Sequence, residues 1–260
     1  MRAGAWPEPL CDVVDHGAPL LFLSAHLDDA VLSCGALLAQ LTGRCPVTVA
    51  TVFTEACPPP HTRAARSFLR RCGAPDAATL FARRQAEDRT VVTELGAVPV
   101  HLGGTDALFR RRSRGFGPLG RALPELVHRY PTYRFDIARG RVSRGDRGTV
   151  EALRRAVVGL VDERAAAMVF APVGVGRHVD HLLTRRIAER LPCPVVLYSD
   201  FPYDERGKTG PAVGGRRWTG PGDPATKLPL IRGYRSQVDA LFPDGSVPAR
   251  AETYWSLPVP

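Results

Sequence analysis

The stretch "SAHLDDAVLSCG" sets His26, Asp28 and Asp29 side by side where an apolar run ends, and "RHVDH" sets His178, Asp180 and His181 together after another apolar run. Histidines and up to three carboxylates meeting at one opening have the composition of a catalytic zinc site, in which three protein ligands leave a fourth position to water. His26 and Asp29, three positions apart on a turn entering a helix, point at one metal. Asp28 between them points toward the fourth position, placed to take a proton from water whose pKa zinc lowers to ~7. In the second cluster His178 and His181 share one face of a helical turn, so that one binds the metal and the other faces the substrate. Capping of a helix N-terminus by Asp28 or Asp29 is the competing explanation, since acids are favoured there. It leaves His26 unexplained.

These groups need strands to carry them. Ligands of an open α/β sheet collect outside the carboxyl ends of its strands, so both clusters must follow central strands of one sheet. The apolar runs "APLLFLSA" from Ala18, "PVTVATVF" from Pro46, "VPVHLG" from Val98, "AMVFAPV" from Ala167 and "PVVLYSDF" from Pro194 have strand length. They alternate with helical patterns after Asp29, near 64–72 and 77–95, in "TVEALRRAVVGLVDE" and in "HLLTRRIAER". Near-continuous apolar strands alternating with helices predict an α/β, Rossmann-like, mostly parallel sheet with helices on both faces, in a single domain over 1–260. Residues 106–148, rich in arginine and glycine, read as a basic irregular excursion over the surface. A Gly/Pro/Arg-rich loop then leads to one last helix over about 225–241.

The formal charge of +9 comes almost wholly from arginine, Lys208 and Lys227 being the only lysines. The arginines are scattered and form no aromatic-studded stripe, which argues against a nucleic-acid partner. The six cysteines form no C-x-x-C pair and read as free thiols. The first residues contain no signal-peptide core and no apolar run approaches membrane-spanning length, so the chain reads as soluble and cytoplasmic, with no membrane partner.

"AHLDDAVLSCG" resembles the A-H-P-D-D-E signature of the LmbE-like, PIG-L-type zinc de-N-acetylases, and "RHVDH" resembles their H-P-D-H motif, with Leu27, Val179 and Ala30 in place of the usual residues. "RRQAEDR", "LGGTDA", "LYSDFPY" and "KLPLIRGYRSQ" resemble further segments of that family in the same order. The resemblance implies that His26, Asp29 and His181 bind zinc or another divalent transition metal and that Asp28 is the general base. It implies that His178 is the second catalytic histidine and that Asp180 orients one of the histidines. Arg84 and Asp106 fall where relatives contact the sugar. A tyrosine that some relatives carry is replaced by Gly176.

The expected activity is zinc-dependent hydrolysis of the N-acetyl amide of an amino sugar, releasing acetate and an amine. Asp28 takes the proton of the attacking water, and the oxyanion is stabilised by the metal and by a protonated His178. The arginines between Phe109 and Arg147 suit an anionic substrate, while His61 reads as an exposed loop residue. Alternatives are an amidase acting on a thiol conjugate, a protein with a purely structural metal, and a nucleotide-binding α/β protein. The last needs a G-x-G-x-x-G turn after the first strand; the glycines of "VGVGR" follow a later one.

Overall fold

The computed structural model describes residues 6–8, 10–112, 117–205 and 207–258. The strands are β1 (Leu20–Ser24), β2 (Val47–Glu55), β3 (Val98–Thr105), β4 (Met168–Pro172), β5 (Val195–Tyr198), β6 (Arg216–Thr219) and β7 (Thr253–Ser256). They form one seven-stranded sheet in the order β3-β2-β1-β4-β5-β7-β6. β3 to β5 of that order run parallel, and β7 and β6 extend the edge antiparallel. The helices are α1 (Leu10–Asp15), α2 (Asp29–Leu41), α3 (Arg63–Arg71), α4 (Ala77–Glu94), α5 (Gly117–Ala122), α6 (Pro124–Val127), α7 (Arg147–Glu163), α8 (Val179–Ala188), α9 (Leu228–Arg232) and α10 (Arg235–Leu241).

Every residue of β1 and β4 is buried, because side chains alternate across a sheet that is covered on both faces. Leu21 and Leu23 join one core with Leu153 and Val157 of α7 and Leu183 and Ile187 of α8. Leu20 and Phe22 join the other with Val31, Leu37 and Leu41 of α2. Phe22 pairs with Phe170 in register, their rings stacked at 4.1 Å. β1 therefore lies at the centre with β2 on one side and β4 on the other, and the crevice between β1 and β4 is the switch point where α/β sheets bind ligands. Both histidine–aspartate clusters follow these two strands. Among the described residues no helix is long and apolar enough to cross a membrane.

Four expectations are corrected. The last helix is broken into a 3-10 turn (Pro224–Lys227), α9 and α10. Its break follows from close packing on α4: a Cβ on Gly233 would sit 2.3 Å from Val91 Cγ2, and the Tyr234 hydroxyl donates to Asp88 Oδ1 at 3.0 Å. β6 and β7 were unforeseen because each has four residues, too few to show a period; stacking of Trp218 on Tyr254 at 4.4 Å joins them. Segment 106–148 is not a surface excursion throughout, since Phe109, Arg110, Tyr130, Ile137 and Asp146 are buried.

That segment also pins the loop after β2. Arg111 donates to the Pro58 and Pro60 carbonyls at 2.6 and 3.2 Å, and the Arg63 N–H donates to Glu125 at 2.9 Å. His61, expected to be exposed, is buried edge-on to Phe109 at 5.3 Å and lies 6.5 Å from the buried ring of His128. Burial first, then neighbouring positive groups, lower the pKa of His61; burial first lowers that of His128. A histidine with a depressed folded pKa contributes stability that is present above its unfolded pKa and lost as pH falls through the folded one, because the unfolded chain then binds more protons. These two histidines are therefore expected to lower the melting temperature as pH falls below their unfolded pKa of about 6.5, with His128→Gln flattening that part of the profile. An unchanged slope in the variant contradicts this origin.

Candidate active site

β1 ends at Ser24, whose Oγ donates to the His26 carbonyl at 2.6 Å and accepts the Ala30 N–H at 3.0 Å. With serine serving the first turn of α2, the aspartates are spared. The Asp28 side chain makes no cap hydrogen bond, and Asp29 Oδ2 turns back to accept the His26 N–H at 2.8 Å. The capping explanation therefore fails for both.

Asp29 Oδ2 lies 3.1 Å from His26 Nδ1 and 3.2 Å from His181 Nε2. The opposite ring nitrogens face other carboxylates: His26 Nε2 faces Asp180 Oδ2 at 3.3 Å, and His181 Nδ1 faces Asp200 Oδ1 at 2.5 Å. Burial opposes charge on both rings, but the carboxylates on either side outweigh it, raising His26 to about 10 and His181 well above the ordinary histidine value; a metal ion displaces the near-side protons and leaves His26 Nδ1 and His181 Nε2 as ligand atoms, while the far-side carboxylates keep the other ring protons. His181 Nε2 is buried and has no hydrogen-bond partner. Two imidazole nitrogens and a carboxylate oxygen converging in a buried place form a set that a divalent cation can hold in place of the protons. The donor set fits a divalent metal with nitrogen and oxygen ligands.

Two other sets of donor atoms lie within 4.8 Å of one another: His26, His178 and His181, and His26, Asp106 and Asp180. Each contains a member that is already engaged. His178, at the start of α8, accepts the Asp180 N–H on Nδ1 at 3.3 Å, so its Nε2 carries the hydrogen and is a donor. Asp180 accepts the Ala107 N–H at 2.7 Å and the Arg110 guanidinium at 2.5 Å. Asp106 Oδ1 accepts the Leu108 N–H at 2.8 Å.

The electrostatics follow from burial and crowding. Burial and then Asp29 push the Asp28 carboxyl up to about 7, against Arg84. Burial also raises Asp106. Burial would raise Asp180 too, but Arg110 and His26 hold it well below the usual carboxylate range. Burial and then His26 hold His178 well below the ordinary histidine value, the direction opposite to the protonated His178 expected, and the ring accepts the Asp180 N–H on Nδ1.

His26, Asp28, Asp29 and His178 open onto a cavity of about 550 Å³. Arg84 and Asp106 line it as well, with Arg84 Nη2 3.8 Å from Asp28 Oδ1. His181 and Asp180, wholly buried, support the floor from behind. The structure thus gathers all eight residues singled out from the sequence. It corrects the origin of the positive charge: Arg71, Arg84 and Lys208 line the cavity, and no described arginine between 109 and 147 does. That segment contributes Tyr133 instead, its ring 5.9 Å from that of His178. At position 176, φ is +80°, and a Cβ there would meet Tyr203 ring atoms at 3.3 Å.

Sequence reasoning missed Asp200, Arg110, Tyr133 and Tyr203. Asp200 had a usable signal, since it follows β5 at the same sheet edge. Its Oδ2 also accepts the N–H groups of Gly174 and Val175, both at 2.8 Å. The "VGVGR" turn therefore already holds an anion, and α2 begins with acids, so neither offers a nucleotide phosphate a cradle.

The family described as GlcNAc-PI de-N-acetylase (PIG-L) matches residues 21–191, which include both clusters. The 2'-N-acetylparomamine deacetylase of Streptomyces fradiae is 29% identical over 188 residues, 70% of this chain. The chain spans 57% of the length of that curated relative. A deacetylase–teicoplanin complex from the teicoplanin biosynthesis pathway superposes with a TM-score of 0.72 at 28% identity, covering 92% of this chain and 97% of that one. The zinc-inhibited form of teicoplanin deacetylase gives 0.71 at 27% identity with the same coverage.

Asp200→Asn removes the charge behind His181 at nearly constant size. It is expected to weaken zinc binding about 10- to 100-fold, measured by chelator competition on folded protein. Unchanged affinity would detach Asp200 from the centre.

Proposed function

The chain belongs to the GlcNAc-PI de-N-acetylase family, and on that premise we propose that it hydrolyses the N-acetyl amide of an amino sugar or a sugar-containing metabolite, releasing acetate and a free amine. The single observation that carries this reading is the convergence of His26 Nδ1, Asp29 Oδ2 and His181 Nε2, with Asp28 on the cavity side of them. His26, Asp29 and His181 are assigned as the metal ligands, zinc being the ion this nitrogen–oxygen set suits. When bound, zinc supplies Lewis acidity toward an amide carbonyl and makes water easier to ionise.

The chain's own groups do the rest. Asp28, uncommitted to any cap, takes the proton of the attacking water and returns it to the leaving amine. His178, its Nδ1 occupied by the Asp180 N–H, presents Nε2–H to the carbonyl oxygen as charge develops there, a preorganised donor that costs no reorganisation during reaction. Asp180 and Asp200 hold His26 and His181 by their far nitrogens. Arg84 and Asp106 flank the floor where a sugar would lie.

A cavity of about 550 Å³ is of the size that holds a sugar-sized or larger ligand. Arg71 and Lys208 on its wall favour an anionic or oxygen-rich substituent. Similar proteins, a 2'-N-acetylparomamine deacetylase and a deacetylase of the teicoplanin biosynthesis pathway, support an acetylated amino sugar in secondary metabolism. The six free cysteines support a cytoplasmic setting.

Acetate release from a panel of N-acetyl amino sugars tests the activity, and absence of release from every member by zinc-loaded protein would count against it. Asp28→Asn is expected to retain zinc and lose turnover on the order of 10²- to 10⁴-fold. His26→Ala and His181→Ala are expected to lose zinc itself by elemental analysis; full occupancy in either would remove that residue from the ligand set.

A further inference from the structure

Arg110 is the least expected charge in the molecule. It comes from the arginine-rich segment, yet its side chain is only 5% exposed and its guanidinium faces Phe53 at 4.7 Å. Nε and Nη2 both donate to the Thr105 carbonyl, at 2.9 and 2.7 Å, which locks the plane of the fork against the end of β3. From that fixed plane Nη2 reaches Asp180 Oδ1 and Nη1 reaches Asp146 Oδ2 at 2.8 Å. Asp146 is itself anchored by the Tyr130 hydroxyl at 2.5 Å and by Arg129 at 3.3 Å.

On its other side Asp180 presents Oδ2 to His26 Nε2 at 3.3 Å. The result is an unbroken buried series, Asp146–Arg110–Asp180–His26, which ends on a proposed metal ligand. Each link is directional. With Oδ1 clamped by the fork and Oδ2 by the Ala107 N–H, the Asp180 carboxylate cannot turn, and so holds the His26 ring with Nδ1 toward Asp29. Arg110 also supplies the positive charge that a buried carboxylate near Asp106 requires.

We propose that Arg110 is a positioning residue for the metal centre: acting through Asp180, it sets the orientation of His26 and thereby the affinity for zinc. Asp146 in turn sets Arg110. The irregular segment that carries both is thus the outer support of the centre. A lysine cannot replace the fork, because a single ammonium does not bridge two carboxylates and a carbonyl in one plane.

The test is a zinc dissociation constant by chelator competition, at a temperature where circular dichroism shows each metal-free protein folded. Arg110→Gln is expected to bind zinc about tenfold more weakly or worse, and Arg110→Lys, which keeps the buried charge, to show an intermediate loss. In a cycle with Asp180→Asn, the double variant is expected to be no weaker than the weaker single variant, as for residues acting through one another. A merely structural arginine would lower the melting temperature and leave the affinity of the folded protein unchanged.

Zinc affinity within about twofold of wild type in the folded variants, or losses that multiply in the double variant, would overturn the inference. If Arg110→Gln does not fold, Arg110→Lys carries both readouts. The inference rests on His26 being a ligand. Wild-type zinc affinity in His26→Ala would overturn that assignment, whereas loss in His26→Ala beside wild-type affinity in the Arg110 variants would overturn the relay alone.

Discussion

One carboxylate oxygen, Asp29 Oδ2, stands within 3.2 Å of nitrogens from two histidines that belong to different strand ends. That contact joins the two clusters: protons hold it when no ion is bound, His26 being raised to about 10, and a divalent cation can take their place. Much of the molecule is arranged around it. β1 and β4 must be neighbours for the contact to form, and their parallel pairing from Leu20↔Met168 to Phe22↔Phe170 sets their carboxyl ends side by side. α2 and α8 then begin at the same edge, each bringing its acids and histidines into the crevice.

Concentrating acids is the energetic consequence. Asp28, Asp29, Asp106, Asp180 and Asp200 are all buried around one point, and buried charges are tolerated only when paired. The pairing is divided among elements. Arg84 of α4 faces Asp28 and Arg110 faces Asp180, while the N–H groups of Gly174 and Val175 receive Asp200. Each histidine proposed as a ligand faces its own carboxylate on the far side, so the two rings are held in place before any ion arrives. Such support from outside the ligand set commonly decides metal affinity as much as the ligands do.

The sheet, its covering helices and the two clusters were legible in the sequence because each leaves a local trace. Leu20 to Ser24 is a buried strand by composition alone, and His26, Asp28 and Asp29 are unusual at its end. Spacing, and then the family resemblance, separated Asp28 from Asp29 in role; the structure separates them by contacts, one facing the cavity and the other bonded back to His26. Arg110 and Tyr133 left no comparable trace. Each is one among many arginines or aromatics in a segment with no period, and their placement depends on long-range partners such as Asp180 and His178. The break before Tyr234 was equally invisible, since Gly233 is demanded by Val91 on another helix.

The central claim is that the ion lies among His26, Asp29 and His181, and not on the opposite side of His26 with Asp106 and Asp180. An anomalous difference map from a crystal of zinc-loaded protein, collected at the zinc edge, decides between them. The account predicts one peak at coordination distance, ~2.0–2.2 Å, from His26 Nδ1, Asp29 Oδ2 and His181 Nε2. A peak bonded instead to His26 Nε2 and the carboxylates of Asp106 and Asp180 would contradict it.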